Sequence, residues 1–116
     1  MRATTDLDAA VTEADAILLA IPSHTFRDVF QRVAPLVPNA APIISMTKGL
    51  EASTEKRMTE IIREHCPDHP VGVLTGPNLA REILEGKAAA GVLALDDPAA
   101  TWLQPLLNVG LFRVYR

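Results

Sequence analysis

The sequence predicts an α/β fold in which a mostly parallel sheet carries helices on both faces. Short, uninterrupted apolar runs recur along the chain, and such runs are typical of strands that are covered on both sides. Between them stand segments whose apolar residues recur at i, i+3, i+4 and i+7, the spacing of one helix face. Strands that alternate with helices favour right-handed crossovers, and therefore parallel neighbours within one sheet.

A helix and a strand open the chain. Thr5 and Asp8 have the spacing of a capping box, with aspartate in place of the usual glutamate, so the helix is expected to begin there. The continuously apolar run Ala16–Ile21 predicts a strand covered on both faces, which Pro22 ends. The apolar face of the helix consists of Leu7, Ala10, Val11 and Ala14.

The next two helices flank a second buried strand. Ser23 is a candidate N-cap for the first of these helices. The run Pro42–Met46 predicts the strand, and Ser53 or Thr54 is expected to cap the helix that follows it. The apolar faces are Phe26, Val29, Phe30 and Val33 in the first helix and Met58, Ile61 and Ile62 in the second.

A third strand and a short helix come next. Val71–Thr75 predicts the strand, and the helix is expected directly after Gly76, with Pro77 in its first position. A proline is well tolerated there because the first helical N–H has no partner within the helix. The apolar face of this helix is predicted to be Leu79, Ile83 and Leu84.

One further helix lies between the last two predicted strands. Ala88–Leu95 predicts a fourth strand, and Asp96 or Asp97 is expected to cap the helix after it. The segment Leu111–Tyr115 alternates in polarity, which predicts a partly exposed final strand. The apolar residues of the helix are Trp102, Leu103, Leu106 and Leu107.

Composition fits a single globular domain and disfavours several classes of protein. The 116 residues are 48% hydrophobic and 22% charged, unlike the composition of a disordered chain. The net charge of −3 disfavours a nucleic-acid-binding domain, which is normally basic. No apolar run reaches the roughly 18–20 residues of a membrane span, and the first residues lack the apolar block of a secretion signal. These two observations predict a cytoplasmic protein. Cys66 is the only cysteine, which excludes an internal disulfide.

Three loops are candidate binding loops, because ligands of open α/β sheets bind beyond the carboxyl ends of the strands. Lys48 can reach an anionic or carbonyl group of a ligand as a mobile charge, or it is an ordinary solvated loop lysine. Gly76 would let a ligand approach the backbone at the start of a helix, where free N–H groups attract anions, and Asn78 adds a donor and an acceptor. The alternative there is an ordinary strand-to-helix turn. The three loops are Ile21–His24, Ser45–Gly49 and Thr75–Asn78.

Metal binding and the common catalytic motifs find little support. The cluster His65–His69 has metal-ligating residue types, but its spacing fits no zinc pattern, and a frayed helix end explains it better. His24 is a candidate acid or base by residue type alone. The sequence contains no GxxxxGKS/T, GxSxG or GxGxxG motif. We therefore expect no metal ion.

Several segments, taken in order, resemble the bacterial NAD(P)-dependent glycerol-3-phosphate dehydrogenases. Met46–Glu51 (MTKGLE) resembles the lysine–glycine motif of this family, and Leu74–Glu82 (LTGPNLARE) resembles its GPxxAxE motif. The resemblance runs from Arg2 to Arg116, and these two motifs, each directly after a predicted strand, are its specific part. Shorter matches are Thr4–Leu7, Ala16–Ser23 and Phe112–Tyr115.

The resemblance implies a Rossmann-like NAD(P)-binding domain. Its family transfers hydride between sn-glycerol 3-phosphate and NAD(P)+, giving dihydroxyacetone phosphate, and serves phospholipid synthesis. Carried over by motif, Lys48 would contact both cofactor and substrate. Gly76 and Asn78 would contact the substrate, although Asn78 stands where the family more often has serine. Ala80 and Ser23 would contact the cofactor. A cationic lysine can stabilise charge on the reacting oxygen.

Two parts of the family pattern have no counterpart in the sequence. They are the first strand–helix–strand segment, with its GxGxxG loop, and the C-terminal helical substrate domain. The resemblance therefore implies that residues 1–116 are a partial NAD(P)-binding domain, truncated at both ends. Without the glycine loop, we expect weak or no binding of NAD or NADP. Without the general-base lysine of the helical domain, the catalytic set is incomplete, so the chain alone is expected to be inactive.

The partial sheet has a further consequence. Ala16–Ile21 would normally lie inside a larger sheet, and here we expect it to form an exposed apolar edge, which predicts a homo-oligomer.

Two other interpretations of the function stay open. One is a stand-alone, non-enzymatic α/β module that binds an anion or a partner through the Lys48 and Gly76 loops. The other is a dehydrogenase for a different small acid, against which the two motifs argue.

Overall fold

The computed structural model describes residues 3–116, so Met1 and Arg2, where the resemblance begins, lie outside the described residues. Strands and helices alternate within this range as predicted; β3 has the predicted bounds and the other strands are shorter. Short 3₁₀ turns flank the second helix at Ser23–Thr25 and Ala34–Leu36. The helices are α1 (Leu7–Val11), α2 (Phe26–Val33), α3 (Met58–His65), α4 (Ala80–Leu84) and α5 (Ala100–Leu106). The strands are β1 (Ile17–Leu19), β2 (Ile43–Ser45), β3 (Val71–Thr75), β4 (Ala89–Ala94) and β5 (Phe112–Tyr115).

The strands form one sheet in the order β1-β2-β3-β4-β5. The expected mostly parallel sheet is confirmed, because β1, β2 and β3 are parallel to one another and β4 is parallel to β5. The exception is the pairing of β3 with β4, which is antiparallel and sets Thr75 opposite Val92. A parallel neighbour requires a crossover that returns the chain to the opposite end of the sheet. The connection that contains α4 makes no such return, so β4 starts beside the end of β3.

Helices cover both faces of the sheet and create two apolar cores. On one face, α1, α2 and α3 enclose a cluster that includes Phe26, Phe30, Ile43, Ile61 and Ile62. On the other, α5 covers a cluster that consists of Ile44, Leu74, Leu93, Ala100, Leu103 and Val114. The strand β2 contributes to both clusters and is buried throughout, as predicted. The strand β1 is not covered on both faces as expected, because Leu18 is 39% exposed.

The first two helices begin differently from the prediction. Asp6, rather than Thr5, caps α1, since its carboxylate accepts a hydrogen bond from the N–H of Ala9 at 3.2 Å. Ser23 does not cap α2. It lies within a 3₁₀ turn, and α2 itself begins at Phe26 without a side-chain cap. In both cases the helix begins later than the residue predicted to cap it.

The third and fifth helices also begin later than predicted. Residues 52–54 form a turn, so neither Ser53 nor Thr54 caps α3, which begins at Met58. The carboxylate of Glu60 accepts from the N–H of Arg57 at 2.8 Å and satisfies a free donor at this helix end. Neither Asp96 nor Asp97 caps α5, whose N-cap residue is Ala99; the carboxylate of Asp97 accepts instead from the N–H of Ala99 at 2.7 Å, before the helix begins.

The helix α4 departs most from the prediction. It begins at Ala80 rather than at Pro77, and its predicted apolar face is exposed, with Leu84 88% accessible. Leu106 of α5 is likewise exposed, whereas Leu103 is buried. These leucines have the spacing of a buried face, but no element within residues 3–116 covers them. No described helix is long and apolar enough to cross a membrane.

Candidate functional site

A cleft of about 280 Å³ at the carboxyl ends of β2 and β3 brings together four of the five predicted site residues. Lys48 comes from the loop after β2, and Gly76 and Asn78 come from the loop after β3. Ala80 is the first residue of α4. The remaining wall is largely apolar and includes Met46, Leu74, Ile83 and Phe112. The cleft therefore combines an apolar surface with the exposed ammonium group of Lys48.

Ser23, the fifth predicted residue, lies outside this cleft. It is next to the turn that carries Lys48, since a Cβ atom on Gly49 would be 3.7 Å from Ser23 Oγ. Ser23 lines a neighbouring polar hollow of about 330 Å³ together with His24 and Arg27. Of the three residues predicted to contact the cofactor, Lys48 and Ala80 line the cleft, whereas Ser23 lines the hollow.

Gly76 is in close contact with β4. A Cβ atom at this position would be 2.4 Å from the carbonyl oxygen of Ala90 and 2.6 Å from Asn78 Nδ2. The backbone of β4 thus occupies the space that the missing side chain of Gly76 leaves free. A ligand cannot approach the backbone of Gly76 from this side. The predicted anion site at a helix start is also not formed at Gly76, because α4 begins only at Ala80.

The side chain of Asn78 is bound to the same strand. Its Nδ2 donates to the carbonyl of Ala90 at 2.7 Å, and its Oδ1 accepts from the N–H of Ala90 at 3.2 Å. The amide thus takes the place of a peptide group and continues the β3–β4 pairing beyond Thr75 and Val92. One amide hydrogen and one oxygen lone pair remain for a ligand.

An ion network that the sequence did not predict lies at the hollow that Ser23 lines. Arg27 of α2 donates from Nε and Nη2 to the two carboxylate oxygens of Glu51, at 2.7 and 2.8 Å. Arg27 also pairs with Glu64 of α3, which pairs in turn with Lys56. Hydrogen bonds from Arg27, and then from Thr54, lower the pKa of Glu51 to about 2. Those from Arg27, and then from Lys56, lower the pKa of Glu64 to about 2.

The signal for this network was partly visible in the sequence. Glu51 ends the MTKGLE motif, and a carboxylate at this position favours a basic partner. The partner, Arg27, lies 24 residues earlier on a different helix. No local pattern links the two positions, because the contact depends on how α2 packs beside the loop after β2.

The histidine and cysteine residues near the end of α3 have structural surroundings. His65 contacts Phe30 edge-on, with ring centroids 6.1 Å apart, and His69 Nε2 lies 3.3 Å from the carbonyl oxygen of Pro38. Burial raises the pKa of the Cys66 thiol. Within residues 3–116, no group of three or more His, Cys, Asp or Glu side chains is placed to hold a metal ion.

The cleft fits one part of a nicotinamide dinucleotide. Its apolar wall suits a flat ring, and Lys48 suits an anionic or carbonyl oxygen next to that ring. A pyrophosphate needs backbone that a ligand can approach closely. Gly76 does not supply it, because β4 occupies the space in front of its Cα. The cleft therefore fits the reacting end of the cofactor better than its phosphates.

Comparison with protein families and curated relatives gives a consistent result. Residues 1–101 match the family model described as NAD-dependent glycerol-3-phosphate dehydrogenase N-terminus. The glycerol-3-phosphate dehydrogenase (NAD(P)+) 2 of Sphingopyxis alaskensis is 53% identical over 114 residues, which are 97% of this chain and 34% of that protein. The corresponding enzyme of Acinetobacter baumannii strain SDF is 47% identical over 116 residues, 99% of this chain and 32% of that protein. The chain thus spans about a third of the length of these relatives.

Solved structures agree with this assignment. The glycerol-3-phosphate dehydrogenase of Coxiella burnetii is similar with a TM-score of 0.85 and 31% identity, over 95% of this chain and 34% of that one. The Plasmodium falciparum enzyme, with a TM-score of 0.86 at 19% identity over 97% of this chain and 32% of that one, shows the likeness of fold alone. The predicted Rossmann-like fold is therefore confirmed. By its motifs, its fold and the match over residues 1–101, the chain belongs to the family of NAD-dependent glycerol-3-phosphate dehydrogenase N-terminal domains.

Proposed function

We propose that residues 1–116 act as part of the NAD(P)-binding domain of a glycerol-3-phosphate dehydrogenase. The substrates would be sn-glycerol 3-phosphate and dihydroxyacetone phosphate, and the product would supply phospholipid synthesis. One observation carries the proposal: the cleft joins the loop of the MTKGLE motif to the loop of the LTGPNLARE motif. The names of the relatives support the reaction, since they are glycerol-3-phosphate dehydrogenases (NAD(P)+).

The proposed roles follow from the position and chemistry of each residue. NAD(P)+, when bound, supplies the hydride acceptor. Lys48 places its ammonium group beside the substrate oxygen, where it stabilises the negative charge that develops during the reaction. Gly76 and Asn78, on the loop after β3, contact the substrate, and Ala80 and Ser23 contact the cofactor. No described residue is assigned as general base, so the chain alone is inactive in this proposal.

A ligand titration and an activity assay test this proposal. Dihydroxyacetone phosphate, added at roughly millimolar concentration to the labelled chain, is expected to shift the NMR signals of Lys48 and Gly76. Lys48→Ala should weaken this binding about tenfold, because a hydrogen bond from a charged group contributes about 1.5 kcal/mol or more. Lys87→Ala is the control, since Lys87 pairs with Glu82 and Glu85 outside the cleft.

Three results would contradict parts of the proposal. Signal shifts away from the cleft would remove the assigned site. Binding of inorganic phosphate as tight as that of dihydroxyacetone phosphate would favour a general anion-binding module over a dehydrogenase site. Oxidation of NADH by the purified chain, dependent on dihydroxyacetone phosphate and above the rate of Lys48→Ala, would show that the chain is active alone.

We further propose that the chain self-associates through β1. Within the described residues, β1 pairs only with β2, and an apolar groove of about 320 Å³ runs beside it between α1 and α2. Unpaired backbone groups at a sheet edge readily pair with a second chain. Light scattering at roughly tens of micromolar protein should give a dimer mass that Leu18→Lys lowers toward the monomer. Leu84→Lys, which alters an exposed leucine of α4, should leave it unchanged; a monomer at this concentration would refute the proposal.

We propose a cytoplasmic location. Cys66, the only cysteine, is buried and free, so the fold of the chain does not require an oxidising compartment for an internal disulfide. Fractionation of cells that express the chain tests this, and recovery from an extracytoplasmic fraction would contradict it.

A further inference from the structure

Thr47, the residue before Lys48, attaches the turn that carries Lys48 to the chain just after β1. Thr47 Oγ1 donates to the carbonyl of Ile21 at 2.6 Å, and it accepts from the N–H of Ile21 at 3.3 Å. A single hydroxyl thus satisfies both backbone groups of Ile21, just beyond the last β1–β2 pair of Leu19 and Ser45. The attachment fixes the position at which the chain enters the Lys48 turn.

A second attachment follows Lys48. The Glu51 side chain is only 12% exposed, and both of its carboxylate oxygens accept from the guanidinium of Arg27 on α2. Such a two-bond pairing constrains orientation as well as distance. Gly49, with φ of +95°, lets the chain turn between the two attachments. Thr47 and Glu51 therefore fix both ends of a short segment that contains Lys48.

Both attachments lead to the same neighbouring segment. Ile21 lies two residues beyond β1, and Arg27 lies in the first turn of α2, so the partners are only six positions apart in sequence. Ser23 lies between them and faces Gly49, where an added Cβ would be 3.7 Å from its Oγ. The two attachments therefore join both ends of the Lys48 turn to the segment that carries Ser23.

We propose that Thr47 and the Arg27–Glu51 pair are positioning residues for Lys48. The inference rests on the proposed function, in which the ammonium group of Lys48 contacts the substrate. A lysine side chain is long and flexible, so a fixed backbone reduces the volume that its ammonium group samples. Residues that are held before the ligand arrives bind it with a smaller entropic cost. Neither Thr47 nor Arg27 lines the cleft itself, so both act through the turn.

Hydrogen exchange and ligand titration of matched variants test this inference. Thr47→Val removes the hydroxyl with little change of shape, Thr47→Ser restores it, and Arg27→Gln removes the second attachment. We expect Thr47→Val and Arg27→Gln to speed exchange of the Glu51 amide, which donates to the carbonyl of Lys56, about two- to tenfold, the factor that corresponds to one hydrogen bond. They should weaken binding of dihydroxyacetone phosphate by a similar factor, while Thr47→Ser behaves like the unaltered chain. Exchange at the core residues Ile43 and Ile61 should stay unchanged.

Thr12→Val is the control, because Thr12 also donates to a backbone carbonyl, that of Asp8 at 2.8 Å, but on α1. Unchanged exchange of the Glu51 amide in both variants would overturn the inference, and so would a failure of Thr47→Ser to restore it. Faster exchange with unchanged ligand affinity would overturn the positioning role and leave the proposed function intact. If the unaltered chain bound no dihydroxyacetone phosphate at Lys48, the proposed function would fail, and the positioning role with it.

Discussion

Replacing Phe30 with alanine is expected to lower the free energy of unfolding by about 3–5 kcal/mol, the range for removing a large buried aromatic side chain. Phe30 lies on the inward face of α2 and is fully buried. Its ring stacks on that of Phe26, with centroids 6.0 Å apart, and also contacts His65 of α3. Truncation would leave a cavity between α2, α3 and β2 that rigid neighbours fill only in part, so both the apolar burial and the packing are lost.

Urea unfolding followed by circular dichroism measures this loss. Leu84→Ala is the matched control, because it also removes a large side chain but at a position that is 88% exposed. It should change the free energy of unfolding by no more than about 0.5 kcal/mol. Should Phe30→Ala not fold, Phe30→Leu keeps most of the volume and is expected to lose about 1–1.5 kcal/mol. Equal losses in Phe30→Ala and Leu84→Ala would show that the assigned core is wrong.

The substitution Gly76→Ala is expected to lower the free energy of unfolding by about 1–3 kcal/mol, the range that is typical of overpacking. The new Cβ would be 2.4 Å from the carbonyl oxygen of Ala90. This oxygen belongs to the backbone of β4, so no rotation of a side chain can relieve the contact. The loop after β3 would have to move away from β4, which would also lengthen the two hydrogen bonds between Asn78 and Ala90.

The same experiment separates two explanations for this glycine. If Gly76 serves contact with β4, Gly76→Ala lowers the urea midpoint and speeds exchange of the Ala90 amide. If it serves only to admit a ligand, stability is unchanged and the affinity for dihydroxyacetone phosphate alone falls. Ala88→Ser is the control, since it also adds one heavy atom but at an exposed position just before β4, where a change within about 0.5 kcal/mol is expected.

The order of elements and the place of the binding loops followed from local patterns. The run around Ile43 and Ile44 is apolar at consecutive positions, and the structure buries these two residues on opposite faces of the sheet. The spacing of Phe26, Phe30 and Val33 likewise predicted the buried face of α2. Because parallel strands end at one edge of the sheet, Lys48 and Gly76 were expected near each other, and they line one cleft.

The sequence by itself determined where helices and strands form, because the periodicity of apolar residues records which side of each element is buried. Tertiary structure alone decided the reversal of β4, the binding of Asn78 to Ala90, and the pairing of Arg27 with Glu51. Each of these depends on backbone or charged groups that lie 12 or more residues apart, and no local pattern encodes such contacts. The exposure of Leu84 could not be predicted from local sequence either. Periodicity shows that a helix face is apolar, but only the assembled fold shows whether another element covers that face.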